Sequence, residues 1–205
     1  MFGQDFIQRA IIWGPVILFS LTVHEFFHAW TANKFGDDTA KRHGRLTLNP
    51  LAHLDLFGTI VMVASGFRFG WAKPVPVDPR NLRNPRVANL WISAAGPLSN
   101  IGMALIAGMW FRLVGDAMGA ESPVTNMLVA AVIINITLAV FNMIPLFPLD
   151  GSHVLSSLLP PQQAIAFQSF NRFAPYILLI VIVTGVFWRV IGPVVVMFSQ
   201  LILGY

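Results

Sequence analysis

Long apolar runs separated by polar segments set the layout of this chain. The first run extends from Phe6 to Ala32 and carries only two charged residues, Arg9 and Glu25. As a helix it would measure about 40 Å, enough to cross a hydrocarbon core of about 30 Å with some tilt. Residues 33 to 55 are polar, with Asp37, Asp38, Lys41, Arg42 and Arg45, and the stretch from Arg45 to Pro50 reads as a short strand ending in a turn. Leu56 to Ser65 is apolar but too short to span. Gly66, Gly70, Pro74, Pro76 and Pro79 follow it, so the pattern predicts a shallow or re-entrant segment with a hairpin-like piece behind it.

Val87 to Val114 is the second clear span, with Gly96-Pro97 as an interruption, and Met127 to Phe147 is the third, closed by Pro145 and Pro148. Tyr176 to Phe187 and Ile191 to Leu203 are also apolar, with Arg189 and Gly192-Pro193 at or near their junction; they read as two short helices or one bent one. The predicted fold is therefore an all-α polytopic membrane protein. Three transmembrane helices form its core, one or two apolar helices follow at the C-terminal end, and a small β-hairpin or re-entrant segment lies between the first two core helices.

Composition supports this reading: 56% of residues are apolar, 11% are charged, and mean hydropathy is +0.69, against about 25% charged in ordinary globular chains. The 205 residues suit one integral membrane domain over 1–205. With no cysteine in the chain, disulfides and thiolate ligands are excluded, so a metal would be held by nitrogen and oxygen. A cleavable signal peptide is not expected, because the first run is too long and lacks a basic start and a small-residue cleavage site.

The net charge of +4 does not indicate nucleic-acid binding, since the basic residues lie beside apolar spans. Nine of the thirteen Lys and Arg residues fall between Lys34 and Arg86, whereas the loop from Gly115 to Asn126 has none and carries Asp116 and Glu121. By the positive-inside rule the 34–86 segment is cytoplasmic, which argues against a full crossing by Leu56 to Ser65. The Arg80 to Arg86 cluster reads as a membrane-edge anchor.

The candidate chemistry sits inside the first span. His24-Glu25-Phe26-Phe27-His28 places two imidazoles four residues apart on one helical face, a spacing that can hold one tetrahedral metal. Glu25 can then reach a metal-bound water as general base. Two histidines do not complete a protein cage, and Asp150 is the candidate third ligand. It follows the third span in Asn142-Met-Ile-Pro145-Leu-Phe-Pro148-Leu-Asp150-Gly151, where the prolines stop the helix and Gly151 permits a turn back toward the bundle. His24, His28 and Asp150 with one open position would be a catalytic rather than a structural zinc site.

These residues resemble the site-2 protease family of membrane-embedded zinc metalloproteases. The resemblance rests on His24 to His28 and on the full Asn-x-x-Pro-x-x-Pro-Leu-Asp-Gly pattern at 142–151. It extends to Gly44 to His53, Gly70 to Val77 and Ala95 to Asn100, which are similar to segments of the compact bacterial branch without a PDZ domain. It implies zinc on His24, His28 and Asp150, one ion per chain. It also implies Glu25 as catalytic acid and base, and Asn142 near the substrate backbone. Ser152 and Leu56 depart from the family's common glycine and proline, and neither touches a proposed ligand.

The expected activity is an intramembrane zinc endopeptidase that cuts in or near transmembrane segments of membrane proteins, in the cell membrane, with its site toward the cytoplasmic side. Zinc and an amide from Asn142, or else Asn100, would stabilise the oxyanion; Asn100 serves equally well as an interhelical hydrogen-bonding residue. His53 is expected to brace a loop, and His43 and His153 to face solvent or an interface. Two other classes fit less of the sequence: a catalytically silent homologue that binds membrane helices, and a metal or proton transporter, for which no internal repeat is found.

Overall fold

The computed structural model describes residues 4–67, 70–119 and 122–205. Its helices are α1 (Gln4–Lys34), α2 (Thr39–Arg42), α3 (Leu56–Ala64), α4 (Pro85–Met118), α5 (Pro123–Asn142), α6 (Asp150–Leu158), α7 (Pro161–Asn171), α8 (Ala174–Val183) and α9 (Val186–Leu203). Proline opens α4, α5 and α7, where its missing N–H has no helical partner to lose. Four helices are long and apolar enough to cross a membrane: α1 from Ala10, α4 to Gly115, α5 and α9. The pair α7 and α8 passes the same test together but is bent by 54°. This is a multi-pass membrane protein.

Helix α4 is the hub, packed against α1, α5, α6 and α9. Small residues let it come close. Ala104 and Ala107 meet Val132 and Ile136 of α5 and Val195 and Leu203 of α9, and a Cβ on Gly108 would lie 2.2 Å from Ile202 Cγ2. Where lipid replaces water around the bundle, such close van der Waals packing does the work that hydrophobic burial does in soluble folds. Large side chains such as Leu105, Ile106, Trp110 and Leu113 of α4 and Leu201 of α9 face outward.

Several expectations are corrected. Gly96-Pro97 does not interrupt the second span: α4 is continuous through both, and Pro97 is fully buried. The third span begins earlier and ends at Asn142 instead of Phe147, because Pro145 disfavours helical backbone at the residue before it. The C-terminal break falls at Thr184-Gly185, where Gly185 has φ +71°, and Arg189 and Pro193 lie inside α9.

The β-hairpin is also absent among the described residues, as is a strand over 45–50. Instead α3 descends beside α1 and the chain returns in extended form, paired to its own start by the single antiparallel bridge Leu54–Ala72 and by Lys73 N–H donating to the His53 carbonyl at 2.8 Å. Pro74 and Pro76 lack the N–H that would extend that ladder. Phe67, near the tip, lies 3.4 Å from where a Gly14 Cβ would be and 5.7 Å from the Phe6 ring. Gly14 is about 30 Å of helix from Lys34. The segment thus reaches along α1 while its two ends lie beside each other. Arg68 and Phe69 of this piece, and Glu121 of the acidic loop, lie outside the described residues.

Candidate metal centre

Two elements distant in sequence bring the candidate ligands together. Helix α1 presents His24 and His28 on one face, and α6 presents Asp150 as its first residue. The Asp150 carboxylate stands close to both rings: His24 Nε2 to Asp150 Oδ2 is 3.2 Å, and His28 Nε2 to Asp150 Oδ1 is 3.4 Å. The two Nε2 atoms are 2.9 Å apart. Both histidines are buried. These three form a group whose ligand atoms all lie within 4.8 Å of one another.

Hydrogen bonds fix which imidazole nitrogens are free. Asn135 Nδ2 donates to the Ala131 carbonyl and to Ser20 Oγ, at 2.9 Å each, so its Oδ1 must accept. It accepts from Asn100 Nδ2 at 2.8 Å, which turns Asn100 Oδ1 toward His24. His24 Nδ1 therefore carries the proton and donates to that oxygen at 2.6 Å. His28 Nδ1 likewise donates, to the Ile92 carbonyl at 2.6 Å. Imidazoles so anchored, when neutral, direct their Nε2 lone pairs into the same small space.

That arrangement fits a zinc ion. Two nitrogen lone pairs and a carboxylate crowd together, and Asp150 Oδ2 is buried with no hydrogen-bond partner. Three electron-pair donors held this close repel one another unless a cation lies among them, and two imidazoles with one carboxylate are a catalytic zinc donor set. Gly96 of α4 keeps the space open: a Cβ there would lie 2.5 Å from His28 Nε2 and 2.6 Å from His24 Cε1 and Nε2.

Asp150 is delivered by a close backbone approach. A Cβ on Gly151 would lie 2.3 Å from the Met143 carbonyl oxygen and 2.6 Å from that of Ile144. Gly151 is helical, so its role is to let α6 press on the end of α5, not to turn the chain. Ser152, buried, donates to the Leu149 carbonyl at 2.8 Å.

Glu25 is half-buried on the same turn as the histidines, close enough to His28 and Arg45 for its charge to act on both. Burial pulls the Arg45 guanidinium below its ordinary value, and the Glu25 carboxylate works against that pull. Arg45 donates to the Lys73 carbonyl, linking the two arms of the re-entrant segment.

Asn142 is not brought into hydrogen bonding with the cluster; its Nδ2 donates to the Leu138 carbonyl at 3.0 Å. Asn100 is fully buried with its oxygen and its nitrogen both engaged. His53 braces a loop, with Nε2 donating to the Thr47 carbonyl at 2.8 Å. His43 is exposed, and exposed His153 packs on Phe147. The sequence pattern does not single out Asn135, Ser20 or the Ile92 carbonyl, and it marks Gly96 only as an apparent interruption and within the Ala95 to Asn100 resemblance. Asn135 and Ser20 carried a signal, being polar residues within apolar spans.

Comparison with known proteins finds relatives described as zinc metalloproteases. Residues 108–185 match the family model described as Peptidase family M50. Over 183 residues the chain is 39% identical to a Bacillus subtilis protein named "Putative zinc metalloprotease YwhC", covering 86% of this chain and 82% of that one. It is 31% identical over 171 residues to Rip2 of Mycobacterium tuberculosis strain H37Rv, which carries the same description; 80% of this chain and 63% of Rip2 are covered. An archaeal relative, "Zinc metalloprotease MJ0392" of Methanocaldococcus jannaschii, is 24% identical over 77% of this chain and 38% of its own length. No solved structure matches the chain significantly.

Proposed function

This chain belongs to peptidase family M50, the site-2 protease family of zinc metalloproteases, and from that premise we propose that it cleaves peptide bonds in or near transmembrane segments of other membrane proteins. The observation that carries the reading is the convergence of His24, His28 and Asp150 within the helical bundle, beside Glu25. The site lies toward the end of α1 that leads into the basic 34–86 segment, which supports a place on the cytoplasmic side of the cell membrane.

His24, His28 and Asp150 are the residues that would hold zinc. When bound, zinc polarises the scissile carbonyl and makes water nucleophilic at neutral pH. Glu25, one residue from His24, takes the proton of the attacking water and delivers it to the departing amine. Asn100 orients His24 through Oδ1, gives one Nδ2 hydrogen to Asn135 and is fully buried between them, which disfavours it as a donor to a substrate oxyanion. That role falls to half-buried Asn142, whose Nδ2 has a second hydrogen beyond the one given to the Leu138 carbonyl.

A transmembrane helix hides its carbonyls in its own hydrogen bonds, so the substrate must be locally extended before attack. The extended chain beside the Leu54–Ala72 bridge offers an edge along which an extended segment can be held.

Replacing Glu25 by glutamine tests the assignment. Cleavage of a reporter transmembrane segment should fall by about 10²-fold or more while zinc stays bound at the wild-type level. Wild-type cleavage by Glu25→Gln would remove Glu25 from the mechanism.

A further inference from the structure

All three candidate ligands are referenced to one helix. Asn100 and the Ile92 carbonyl of α4 hold His24 and His28. At the start of the same helix, Arg86 and Asn89 hold the far end of α6, whose first residue is Asp150. Arg86 Nε donates to the Ser157 carbonyl at 2.7 Å, and its Nη2 donates to the carbonyls of Leu158 at 3.3 Å and Leu159 at 2.7 Å. Asn89 Nδ2 donates to Ser157 Oγ at 3.1 Å.

The sequence explains why this clamp is needed. A helix leaves its last carbonyls without partners, and the chain beyond usually supplies N–H groups to close them. Here Pro160 and Pro161 follow α6 and have no N–H to give. One guanidinium supplies the missing donors and places a full positive charge at the negative end of the α6 dipole. On its own helix Arg86 is badly placed, since a cation in the first turn of α4 opposes that helix's dipole. Its position makes sense through α6. Arg86 thus has a partner within the bundle beyond the membrane-edge role its charge suggests. Arg80 instead pairs with Asp78 at 2.7 Å.

We propose that Arg86, with Asn89 in support, is a positioning residue for the metal centre: by closing the C-terminal carbonyls of α6 it fixes that short helix along α4 and so sets where the Asp150 carboxylate meets the two imidazoles. Helix α6 is only nine residues long and leaves α5 through an irregular turn, so a hold at its far end governs the placement of its first residue. The proposal rests on Asp150 being a metal ligand.

A double-mutant cycle on zinc affinity tests it. Zinc dissociation constants are measured by chelator competition on the purified full chain for wild type, Arg86→Gln, Asp150→Ala and the double variant. Arg86→Gln should weaken zinc binding about tenfold in the wild-type background and leave the Asp150→Ala background unchanged. Arg86→Lys should recover part of the loss, and Arg83→Gln should behave as wild type. Equal weakening in both backgrounds, or none in the wild type, overturns the proposal. If Arg86→Gln does not fold, Asn89→Ala replaces it in the same cycle, with a smaller loss that must also vanish without Asp150. If Asp150→Ala itself leaves zinc affinity unchanged, the ligand assignment has failed, and the clamp's role at the metal centre fails with it.

Discussion

Replacing Gly96 by alanine puts a methyl group against the imidazole nitrogens that would hold the ion. The new Cβ would stand 2.5 Å from His28 Nε2 and 2.6 Å from His24 Cε1 and Nε2, whereas ordinary contact begins near 3.4 Å. Both rings would have to retreat by about 0.9 Å, and metal–ligand distances tolerate only about 0.2 Å of error. Neither ring can yield freely, because each is tied through Nδ1 by a 2.6 Å hydrogen bond. Misplacement of about 1 Å in a catalytic group lowers rates by roughly 10²-fold. The expected outcome for Gly96→Ala is therefore at least tenfold weaker zinc binding and about 10²-fold slower cleavage of a reporter segment, with elution and helix content of the purified protein unchanged. Gly102→Ala is the control on the same helix: its Cβ would meet nothing within 4 Å, and it should match wild type in both assays. Wild-type zinc affinity and at least half the wild-type rate for Gly96→Ala would refute the placement of the ion.

Asn100→Ala should leave the His24 Nδ1 proton without its acceptor and weaken zinc binding about 10-fold to 100-fold, with little effect on expression. Asp37, buried beyond the end of α1, predicts an acid transition in stability. Burial alone would raise its carboxyl, but the donors of Thr39, Asn81 and the Asp78 backbone outweigh it and hold the group below the usual aspartate value. A folded-state value depressed in this way gives stability that is present above the unfolded value of about 3.9 and lost as pH falls through the folded one. The melting temperature in detergent should thus change little through this group between about pH 7 and 5 and drop below about pH 4. Asp37→Asn should lower the melting temperature at pH 7 and flatten the acid drop; an unchanged pH profile would show that the carboxylate does not brace this segment.

The spans and the paired histidines were legible because both follow from local rules: apolar run length, and the four-residue spacing that puts two side chains on one helical face. Asp150 was legible through a proline-rich pattern after the third span. What could not be read was the frame around them. Gly96 looks like a helix breaker in sequence, yet it is a clearance for two imidazoles that approach from 68 and 72 residues away. Arg86 looks like one of many basic residues at a membrane edge; its partners are carbonyls of a helix some seventy residues later. The hairpin was overread because glycines and prolines signal a reversal without stating what lies on either side, and here one arm is the helix α3. The break at Gly185 was missed because Gly192-Pro193 gives a stronger local signal, although α9 accommodates it.

Metal analysis of the purified chain tests the central claim most directly. Wild type should carry close to one zinc per chain, and His24→Ala, His28→Ala and Asp150→Ala should each lose nearly all of it while remaining folded. Full zinc content in Asp150→Ala, or a folded wild type that takes up no zinc, would contradict a site built from these three side chains.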